Sequence, residues 1–455
     1  MDLYQDLTAL LGSEIVLNDP AILDEYSRDK WFASHLPDVV VAPTGAEQVS
    51  RVLRFANERK IPVTPRGSGY GYVGGCVPAQ GGIALSLARM NRIKEIAVAD
   101  GVAVVEPGVI TGDLQREARN RKLFYPPDPA SLKNSSIGGN IATNAGGPRC
   151  LKYGVTRHYV LGLEVVLANG SITRIGGRTL KNKTGFDLVG LFVGSEGMLG
   201  VVTEATLRLL PLPPARASIS ASFRTVEEAA EAVQNIFLEG YLPSALEIAD
   251  RFTLEAARKH LSHRIVPEGD SHLLLDVDGH EEPVRYSIET LAGVLRALGA
   301  LTLETAFGEE ECEKLWDLRR GFSESLKATG LMKLNEDVTI PRGRLVELMQ
   351  FAATLQDRYG FPVACFGHAG DGNIHVNVMV ADPTDAKVAE QMERALDDLF
   401  RYVIGAHGAI TGEHGIGLAK KRWWPQAVSP ESLALHQTVK HALDPCGILN
   451  PGKFL

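Results

Sequence analysis

Apolar residues recur at helical spacing in both halves of the chain. Between residues 44 and 60 they stand at i, i+3, i+4 and i+7, which predicts an amphipathic helix. A second helix is predicted from Thr111 to Leu123, with Thr111 as its N-cap. In the second half, the same spacing predicts long helices over residues 282–299, 309–329, 341–359 and 384–404.

Short apolar runs bounded by turn residues predict strands. In the first half they lie at residues 61–64, 82–87, 103–105, 163–167 and 200–203, and in the second half one lies at 272–277. The Pro-rich segment Leu210–Pro214 separates the two patterns and is predicted to link two domains. Many short strands with few helices, followed by strands alternating with long helices, predict an α+β protein.

Length and composition fit two or three globular domains. The 455 residues are 45% hydrophobic and 22% charged, which excludes a disordered chain, a coiled coil and a small disulfide scaffold. A net charge of −8 at pH 7 provides no basic surface for nucleic acid or anionic lipid as the main partner. The five cysteines form no CxxC pair, so we expect a reduced compartment and no iron–sulfur centre in this chain.

No apolar run approaches the ~18 residues of a membrane-spanning helix, and the first residues show no targeting pattern. We therefore expect a soluble, cytoplasmic protein. Peripheral association with the inner membrane is left open.

Glycine accounts for 46 residues and is concentrated between residues 65 and 200 and between 367 and 417. Gly69–Gly74 satisfies G-x-G-x-x-G, but the Val77–Pro78 segment that follows excludes the helix that a Rossmann turn requires. Residues 177–184 resemble a P-loop except that Asn182 stands where glycine is needed. We reject both and interpret residues 65–71 as a nest of backbone N–H groups for an anion. A glycine-rich bulge in a sheet is the alternative.

Two further clusters have the same character. Residues 126–147 contain almost no large side chain, and Gly194–Gly200 is similar. Because side chains are short there, a bulky and flat group can lie directly on the backbone. Asn140, Thr143 and Asn144 would supply its polar contacts.

The second glycine-rich region carries histidines. From Asn373 to Val380 the residues alternate with period two, which places His375 and Asn377 opposite an apolar face. The preceding glycines let the loop fold back so that His368 meets His375, and two converging imidazoles suit a divalent transition metal. Each histidine taken singly would more often be structural.

A third segment, residues 409–417, surrounds a Glu-His pair with glycine and apolar residues. Glu413 can supply a carboxylate ligand that completes a His-His-carboxylate set. The neighbouring His414 can then act as a base.

The three early clusters, in this order and spacing, resemble the FAD-binding domain of the vanillyl-alcohol-oxidase (PCMH-type) superfamily over residues ~38–212. The resemblance implies non-covalent FAD, because the first loop has no histidine for a covalent link. The implied pyrophosphate contacts are Arg66, Gly67, Ser68, Gly69, Tyr70 and Gly71. The implied contacts to the ribityl chain, ring and adenosine are Pro127, Asp128, Ser131, Gly138, Gly139, Asn140, Thr143, Asn144, Gly147, Glu196, Gly200 and Val201.

The late motifs resemble the substrate domain of FAD-linked D-2-hydroxyacid dehydrogenases, which include D-lactate dehydrogenases, glycolate oxidase flavoprotein subunits and D-2-hydroxyglutarate dehydrogenases. The resemblance implies that the metal ligands are His368, His375 and Glu413, that the catalytic base is His414, and that Asn377 lies beside the metal.

The same resemblance implies residues that bind the substrate and close on the flavin. It places Arg319 on the substrate carboxylate, with Ser323 assisting, and makes Lys333 a second candidate. An exposed charge on a helix is the alternative for Arg319. It also places Asn450 near the flavin ring, because the terminal motif returns to the flavin domain.

The resemblance thus predicts a two-domain α+β flavoprotein. Its parts are a PCMH-type FAD-binding domain at 1–212, a substrate and metal domain at 213–425 with a ferredoxin-like sheet and helices, and a segment at 426–455 that packs back on the first domain.

The implied reaction is oxidation of a D-2-hydroxy acid (glycolate, D-lactate or D-2-hydroxyglutarate) to the 2-oxo acid. A divalent Zn, Mn or Fe ion would assist, hydride would pass to flavin N5, and His414 would take the proton. The alternatives are a transferase similar to alkyl-glycerone-phosphate synthases and a flavoprotein subunit of a glycolate oxidase complex.

The implied partners are the hydroxy acid and an electron acceptor, which is a quinone, a cytochrome, an electron-transfer flavoprotein or an iron–sulfur subunit. No nucleic acid is expected, and a homodimer is left open.

Overall fold

The computed structural model describes residues 2–261 and 266–455. The chain divides into two compact units. Unit 1 comprises the described residues up to Gly147 together with Gly154–Leu212 and Glu413–Leu455. Unit 2 comprises Pro148–Tyr153 and the described part of Pro213–Gly412. The C-terminal boundary therefore falls at 412/413, earlier than the expected 425/426.

The helices are α1 Leu3–Leu11, α2 Pro20–Tyr26, α3 Ala46–Arg59, α4 Thr111–Arg119, α5 Ile137–Thr143, α6 Cys150–Tyr153, α7 Leu188–Phe192, α8 Val226–Leu238, α9 Arg251–His260, α10 Glu281–Ala297, α11 Glu309–Ala328, α12 Leu345–Tyr359, α13 Ala386–Gly405, α14 Trp424–Ala427 and α15 Pro430–Leu443. None of them, within the described residues, is both long and apolar enough to cross a membrane.

The strands are β1 Val16–Leu17, β2 Val39–Val41, β3 Val63–Arg66, β4 Ile83–Ser86, β5 Ile93–Ala97, β6 Val102–Val105, β7 Leu123–Phe124, β8 Val160–Val166, β9 Ile172–Gly176, β10 Val201–Arg208, β11 Leu210–Pro211, β12 Ala215–Phe223, β13 Ala245–Ala249, β14 Ser271–Gly279, β15 Thr302–Phe307, β16 Met332–Thr339, β17 Val363–His368 and β18 Asn373–Val380.

Unit 1 is built on two small sheets. One has the order β1-β2-β4-β3 with parallel pairing of β2, β4 and β3, and the other is antiparallel with the order β5-β6-β10-β8-β9. The apolar face of α3 packs on the first sheet, where Val52 and Leu53 meet Ile83 in one buried cluster. This packing places the β3–β4 connection, which carries the first glycine cluster, at the end of a parallel strand.

Two local predictions in unit 1 are wrong in detail. Thr111 is not the N-cap of α4, because Ile110 occupies that position. The Thr111 hydroxyl instead donates to the Ser135 carbonyl at 3.1 Å. The helix also ends at Arg119 rather than Leu123, since Leu123–Phe124 pairs with Leu210–Pro211 as β7 and β11. Part of the expected linker is therefore a strand.

Unit 2 contains one antiparallel seven-stranded sheet with the order β15-β12-β14-β13-β17-β18-β16. Helices α9 and α11 pack together over one face, where Leu254 and Phe322 meet Phe366 of β17 and Met379 of β18 in a buried cluster. Helices α8, α10, α12 and α13 form the other helical group. The predicted α+β class with a sheet and long helices is confirmed.

Candidate active site

A cavity of about 400 Å³ lies in unit 1. The first two glycine clusters, the segment that precedes β10 and the beginning of the C-terminal segment all contribute to its wall. Of the residues predicted to hold a cofactor, those lining it are Arg66, Gly67, Ser68, Gly69, Tyr70, Gly71, Ser131, Gly138, Gly139, Asn140, Thr143, Glu196, Gly200 and Val201. The predicted ligand Glu413 and the predicted base His414 line the same cavity.

Glycine is needed in this wall because the backbone packs too closely for side chains. A Cβ on Gly138, in the first turn of α5, would lie 2.6 Å from Pro107 Cβ, and one on Gly67 would lie 2.4 Å from Ser136 Oγ. Real Cβ atoms do not approach other heavy atoms so closely. A cavity of this size with nine glycines in its wall has room and backbone N–H groups for a large, flat and partly anionic cofactor such as FAD, so these residues fit that group.

Arg66, predicted to contact the pyrophosphate, lines the cavity and also makes contacts within the protein. Its side chain is buried, and Nη1 donates to the Arg28 carbonyl at 2.7 Å and to Cys76 Sγ at 3.2 Å. The guanidinium also stacks over the Tyr26 ring, 5.0 Å from its centroid. Arg66 thus fixes the first glycine cluster to the segment that precedes β2.

Five residues predicted to contact the cofactor do not line the cavity: Pro127, Asp128, Asn144, Gly147 and Asn450. Asn144 closes α5 in the left-handed conformation, with φ 53°. The side-chain amide of Asn450 donates to the Gly75 carbonyl at 2.9 Å and to the Glu196 carbonyl at 2.7 Å. It therefore ties the C-terminus to two cavity-lining segments.

Glu196 also holds the C-terminal segment in unit 1. Its carboxylate accepts the backbone N–H groups of Ile416 at 2.7 Å and Gly417 at 2.9 Å. Burial raises the pKa of this carboxyl, while the two N–H donors oppose the rise. These bonds fix the chain just after His414 and so determine where that histidine stands.

His414 lies at the cavity wall between an aromatic ring and a carboxylate. Its ring stacks obliquely on Tyr72, with centroids 5.3 Å apart and an interplanar angle of 31°. Its Nε2 is 3.8 Å from Glu413 Oε1. An imidazole held in this way at a cofactor cavity can accept a proton from a bound molecule.

Sequence reasoning missed several residues of the cavity wall, among them Asp29, Tyr72 and Cys76. Burial raises the pKa of the Asp29 carboxyl. Burial likewise raises the pKa of Cys76 to about 11, so its thiol is unreactive at neutral pH. No local signal marked Asp29, which precedes the first glycine cluster by more than thirty positions.

The second group of predicted residues lies on one face of the unit 2 sheet. Strands β13, β17, β18 and β16 are neighbours, and Glu247 is paired with His368 and His375 with Asp337 in the register. Paired residues point to the same side of a sheet. We call this side, which also carries Asn377 and Lys333, the polar face; it is continuous with the apolar cluster under α9 and α11.

The two histidines of the polar face are close and buried. Their ring centroids are 5.8 Å apart and nearly perpendicular, at 79°, and only 5% and 6% of the His368 and His375 surfaces are exposed. The predicted period-two strand is present with the predicted bounds, Asn373–Val380. All eight of its residues are buried, so both of its faces belong to the interior.

A carboxylate that sequence reasoning missed joins the histidines to the predicted substrate arginine. Glu247 Oε1 accepts from His368 Nδ1 at 2.6 Å, and Oε2 accepts from Arg319 Nε and Nη2, both at 2.7 Å. Burial would raise the pKa of Glu247, but its contacts with His368 and Arg319 hold that pKa well below its ordinary value. Arg319 is therefore not an exposed charge on a helix, because its side chain is largely buried and paired with Glu247.

Asp337 organises the other end of the polar face. One carboxylate oxygen accepts from Asn373 Nδ2 at 2.7 Å, and the other accepts from Thr411 Oγ1 at 2.8 Å and the Gly412 N–H at 2.9 Å. The side chain is fully buried. Asp337 thus fixes the last residues of unit 2 immediately before Glu413.

The two remaining candidates also lie on this face. Lys333 Nζ donates to Ser323 Oγ at 2.7 Å, and burial, aided by Lys327 and Arg319, lowers the pKa of Lys333 to about 8. Asn377 donates to the Ala364 and His375 carbonyls at 3.0 Å each. Its Oδ1 is buried without a hydrogen-bond partner among the described residues, which fits a face that receives a polar ligand.

Comparison with known proteins identifies the family of the chain. Residues 212–454 match the family described as FAD linked oxidases, C-terminal domain, and residues 37–176 match the FAD binding domain. The chain is 40% identical to the glycolate oxidase subunit GlcD of Bacillus subtilis, over 92% of this chain and 89% of that protein. It is 34% identical to a D-lactate dehydrogenase of Anaerostipes hadrus, over 96% and 94% of the two chains.

Solved structures show the fold. The p-cresol methylhydroxylase structure superposes with a TM-score of 0.79 at 21% identity, covering 99% of this chain and 96% of that one. An alkyldihydroxyacetonephosphate synthase has a TM-score of 0.76 at 20% identity, with coverages of 99% and 84%. The family models and the relatives above 30% identity define an FAD-binding oxidoreductase, and the chain belongs to the FAD-linked oxidase family. The predicted family and two-domain flavoprotein fold are confirmed.

Proposed function

We propose that this protein oxidises a D-2-hydroxy acid such as glycolate, D-lactate or D-2-hydroxyglutarate to the 2-oxo acid, with FAD as the hydride acceptor and a divalent Zn, Mn or Fe ion as assistant. The observation that carries the proposal is the polar face of unit 2. Two buried imidazoles lie on this face. Two cationic side chains reach the same face, Lys333 from β16 and Arg319 from helix α11 through its bond to Glu247. Imidazoles suit a transition metal, and cations suit a carboxylate. Relatives named glycolate oxidase subunit and D-lactate dehydrogenase support the choice of substrate class.

The metal would be held by His368, His375 and Glu413. The fit rests on the donor set, which combines two buried imidazoles with a carboxylate that follows directly on the anchored Gly412. When bound, such an ion supplies Lewis acidity toward a substrate hydroxyl, and FAD supplies the hydride acceptor.

The residues of this chain would bind the substrate and move one proton. Arg319, oriented by Glu247, and Lys333, oriented by Ser323, attract the carboxylate of the hydroxy acid. Asn377 offers its unsatisfied Oδ1 as an acceptor. At the unit 1 cavity His414, steadied by Tyr72, takes the hydroxyl proton at a ring nitrogen.

The test is anaerobic reduction of bound FAD by a panel of D- and L-2-hydroxy acids. We expect D-acids to bleach the flavin. His414→Ala should slow the reduction about 10²–10⁴-fold while FAD stays bound, because a general base contributes a factor of that size. His35→Ala, which alters an exposed histidine, serves as the matched control and should keep the wild-type rate.

If no 2-hydroxy acid reduces the flavin, the substrate class is refuted, and an unchanged rate in His414→Ala refutes the base. Alkyldihydroxyacetonephosphate synthase shares the fold alone. A transferase of that kind would show no net flavin reduction and would need no metal.

We further propose that electrons leave for a separate acceptor, which is a quinone, a cytochrome, an electron-transfer flavoprotein or an iron–sulfur subunit. Two relatives, from Bacillus subtilis and Escherichia coli, are named as subunits of glycolate oxidase. That naming favours a role as the flavoprotein of a complex, and co-purification from a native extract would test it.

A further inference from the structure

Glu247 is a deeply buried carboxylate of the polar face that joins one predicted metal ligand to the predicted substrate arginine. It sits in the middle of β13, with 1% of its surface exposed. Its register partner on β17 is His368. The side chain therefore reaches the imidazole directly across the strand pair rather than through a flexible loop.

Each oxygen of Glu247 has its own partner. Oε1 takes the His368 Nδ1 proton at 2.6 Å, and Oε2 takes Nε and Nη2 of Arg319 at 2.7 Å each. The first bond fixes the imidazole tautomer with the proton on Nδ1, which leaves Nε2 as the nitrogen that would ligate a metal. The second bond fixes the plane of the guanidinium.

We propose that Glu247 is a positioning residue that orients the metal ligand His368 and the substrate-binding Arg319 through a single carboxylate. The inference rests on the proposed function, because it concerns the same metal and the same hydroxy acid. Loss of this carboxylate is expected to weaken metal binding and substrate binding together, since one rigid group orients both partners.

A purely structural ion pair exists on the same sheet and offers a matched control. Asp276 of β14 is also buried and accepts from Arg216 Nε at 2.7 Å, Ser218 Oγ at 2.5 Å and Trp316 Nε1 at 2.8 Å. Neither histidine of the polar face is among these partners. Asp276→Asn therefore damages a buried carboxylate–arginine pair of the same sheet without touching the predicted metal ligands.

The experiment compares wild type, Glu247→Gln and Asp276→Asn as purified FAD-loaded proteins. Metal affinity is measured without hydroxy acid, by titrating Zn²⁺ or Mn²⁺ against a chelator. We expect a 10–100-fold weaker affinity in Glu247→Gln, the usual effect of removing an outer-shell carboxylate. Asp276→Asn should lower the thermal unfolding midpoint but retain the wild-type metal affinity.

Steady-state kinetics at saturating metal supply an independent readout. Glu247→Gln should raise KM for the hydroxy acid more than it lowers kcat, because Arg319 loses its orientation while His414 is untouched. Glu247→Asp keeps the charge with a side chain one methylene shorter, and it should recover part of both losses. It also serves as the substitute if the glutamine variant does not fold.

The possible outcomes distinguish a failure of the proposed metal centre from a failure of the proposed role of Glu247. A wild-type protein that binds no metal refutes the proposed metal centre. A wild type that binds metal, with both Glu247 variants at equal affinity and equal KM, overturns the role of Glu247. All three variants, Glu247→Gln, Glu247→Asp and Asp276→Asn, could instead lose metal affinity in proportion to the decrease in their unfolding midpoints. That result would make Glu247 a structural residue and would overturn the proposal as well.

Discussion

The two candidate sites of this protein differ in the kind of residue that forms them. Many of the residues that line the cavity of unit 1 are glycines or have short side chains, and Arg66 in its wall donates to the Arg28 carbonyl. The polar face of unit 2 is made of side chains on regular strands, and its carboxylates Glu247 and Asp337 are buried and fully engaged. The first site depends on shape, and the second depends on charge and hydrogen bonding.

The difference has a physical basis. A large planar cofactor needs a long surface of exposed N–H groups, which only residues without bulky side chains can present. A small metal and a small acid need a few groups held to within fractions of an ångström, which strands and buried carboxylates supply. Adding a methyl group should therefore harm the first site, and removing a carboxylate should harm the second.

The largest expected effect follows from removing Asp337. Asp337→Ala removes the carboxylate that accepts hydrogen bonds from Asn373, Thr411 and Gly412. Asn373 Nδ2 retains the Val338 carbonyl as an acceptor at 3.0 Å. Hydrogen bonds to a charged group contribute about 1.5–3 kcal/mol each, so we expect unit 2 to lose roughly 3 kcal/mol of stability. Calorimetry should show a lower unfolding midpoint, and metal analysis should show a reduced content.

Asp337→Asn is the matched variant, because its amide oxygen still accepts from one side of the site. It should lose less stability than the alanine variant. An alanine variant with the wild-type midpoint and metal content would contradict the view that charge and hydrogen bonding organise unit 2.

An added methyl group tests the cavity of unit 1. The new Cβ of Gly138→Ala would lie 2.6 Å from Pro107 Cβ and 3.1 Å from the Pro107 carbonyl oxygen. Overpacking of this kind costs about 1–3 kcal/mol, so we expect α5 to shift and the purified protein to hold less FAD. The absorbance ratio at 450 and 280 nm measures the loss.

Gly293→Ala is its control, because Gly293 lies on the exposed side of α10 with no atom within 4 Å of the added Cβ. That variant should keep its FAD and be unchanged or slightly more stable. Equal FAD content in both variants would show that the cavity tolerates an added methyl group, which contradicts the view that its shape depends on glycine at this position.

The smallest effect concerns pH and the charge of Lys333. Its pKa of about 8 lies below the ordinary value of 10.5, so the ammonium is lost as pH rises through 8. Below pH 8 the buried charge lowers stability, and this cost disappears between about pH 8 and 10.5. The charge is, however, what would attract the substrate carboxylate.

We therefore expect kcat/KM for the hydroxy acid to fall above pH 8, by up to about tenfold per pH unit. Lys333→Arg keeps its charge and should lose that alkaline limb. A profile that is identical in the arginine variant would assign the limb to another group.

The sequence predicted those features that repeat locally. The alternation from Asn373 to Val380 gave β18 its bounds and placed His375 on the face opposite Val376. The glycine clusters indicated where the backbone would be accessible to a ligand, and most of their residues do line the cavity. The helix over residues 309–329 is likewise present as α11, because its apolar spacing is a local property.

Pairings across long stretches of chain were not predictable. Glu247 is 121 positions from His368 and 72 from Arg319, and nothing in the segment Ala245–Ala249 distinguishes a bridging glutamate from a solvated one. Likewise, nothing local indicated that the Arg66 guanidinium would donate to the carbonyls of Arg28 and Glu25, which lie 38 and 41 positions earlier in the chain.

The sequence by itself therefore determined the family, the FAD-binding fold and the types of residue available for chemistry, because motifs and periodicity are written in neighbouring positions. Only the tertiary structure decided which charges meet. The register of β13 with β17 places Glu247 on His368, and the same strand pairing orders the polar face. Strand order and register depend on contacts between distant segments, and a single sequence carries no local record of them.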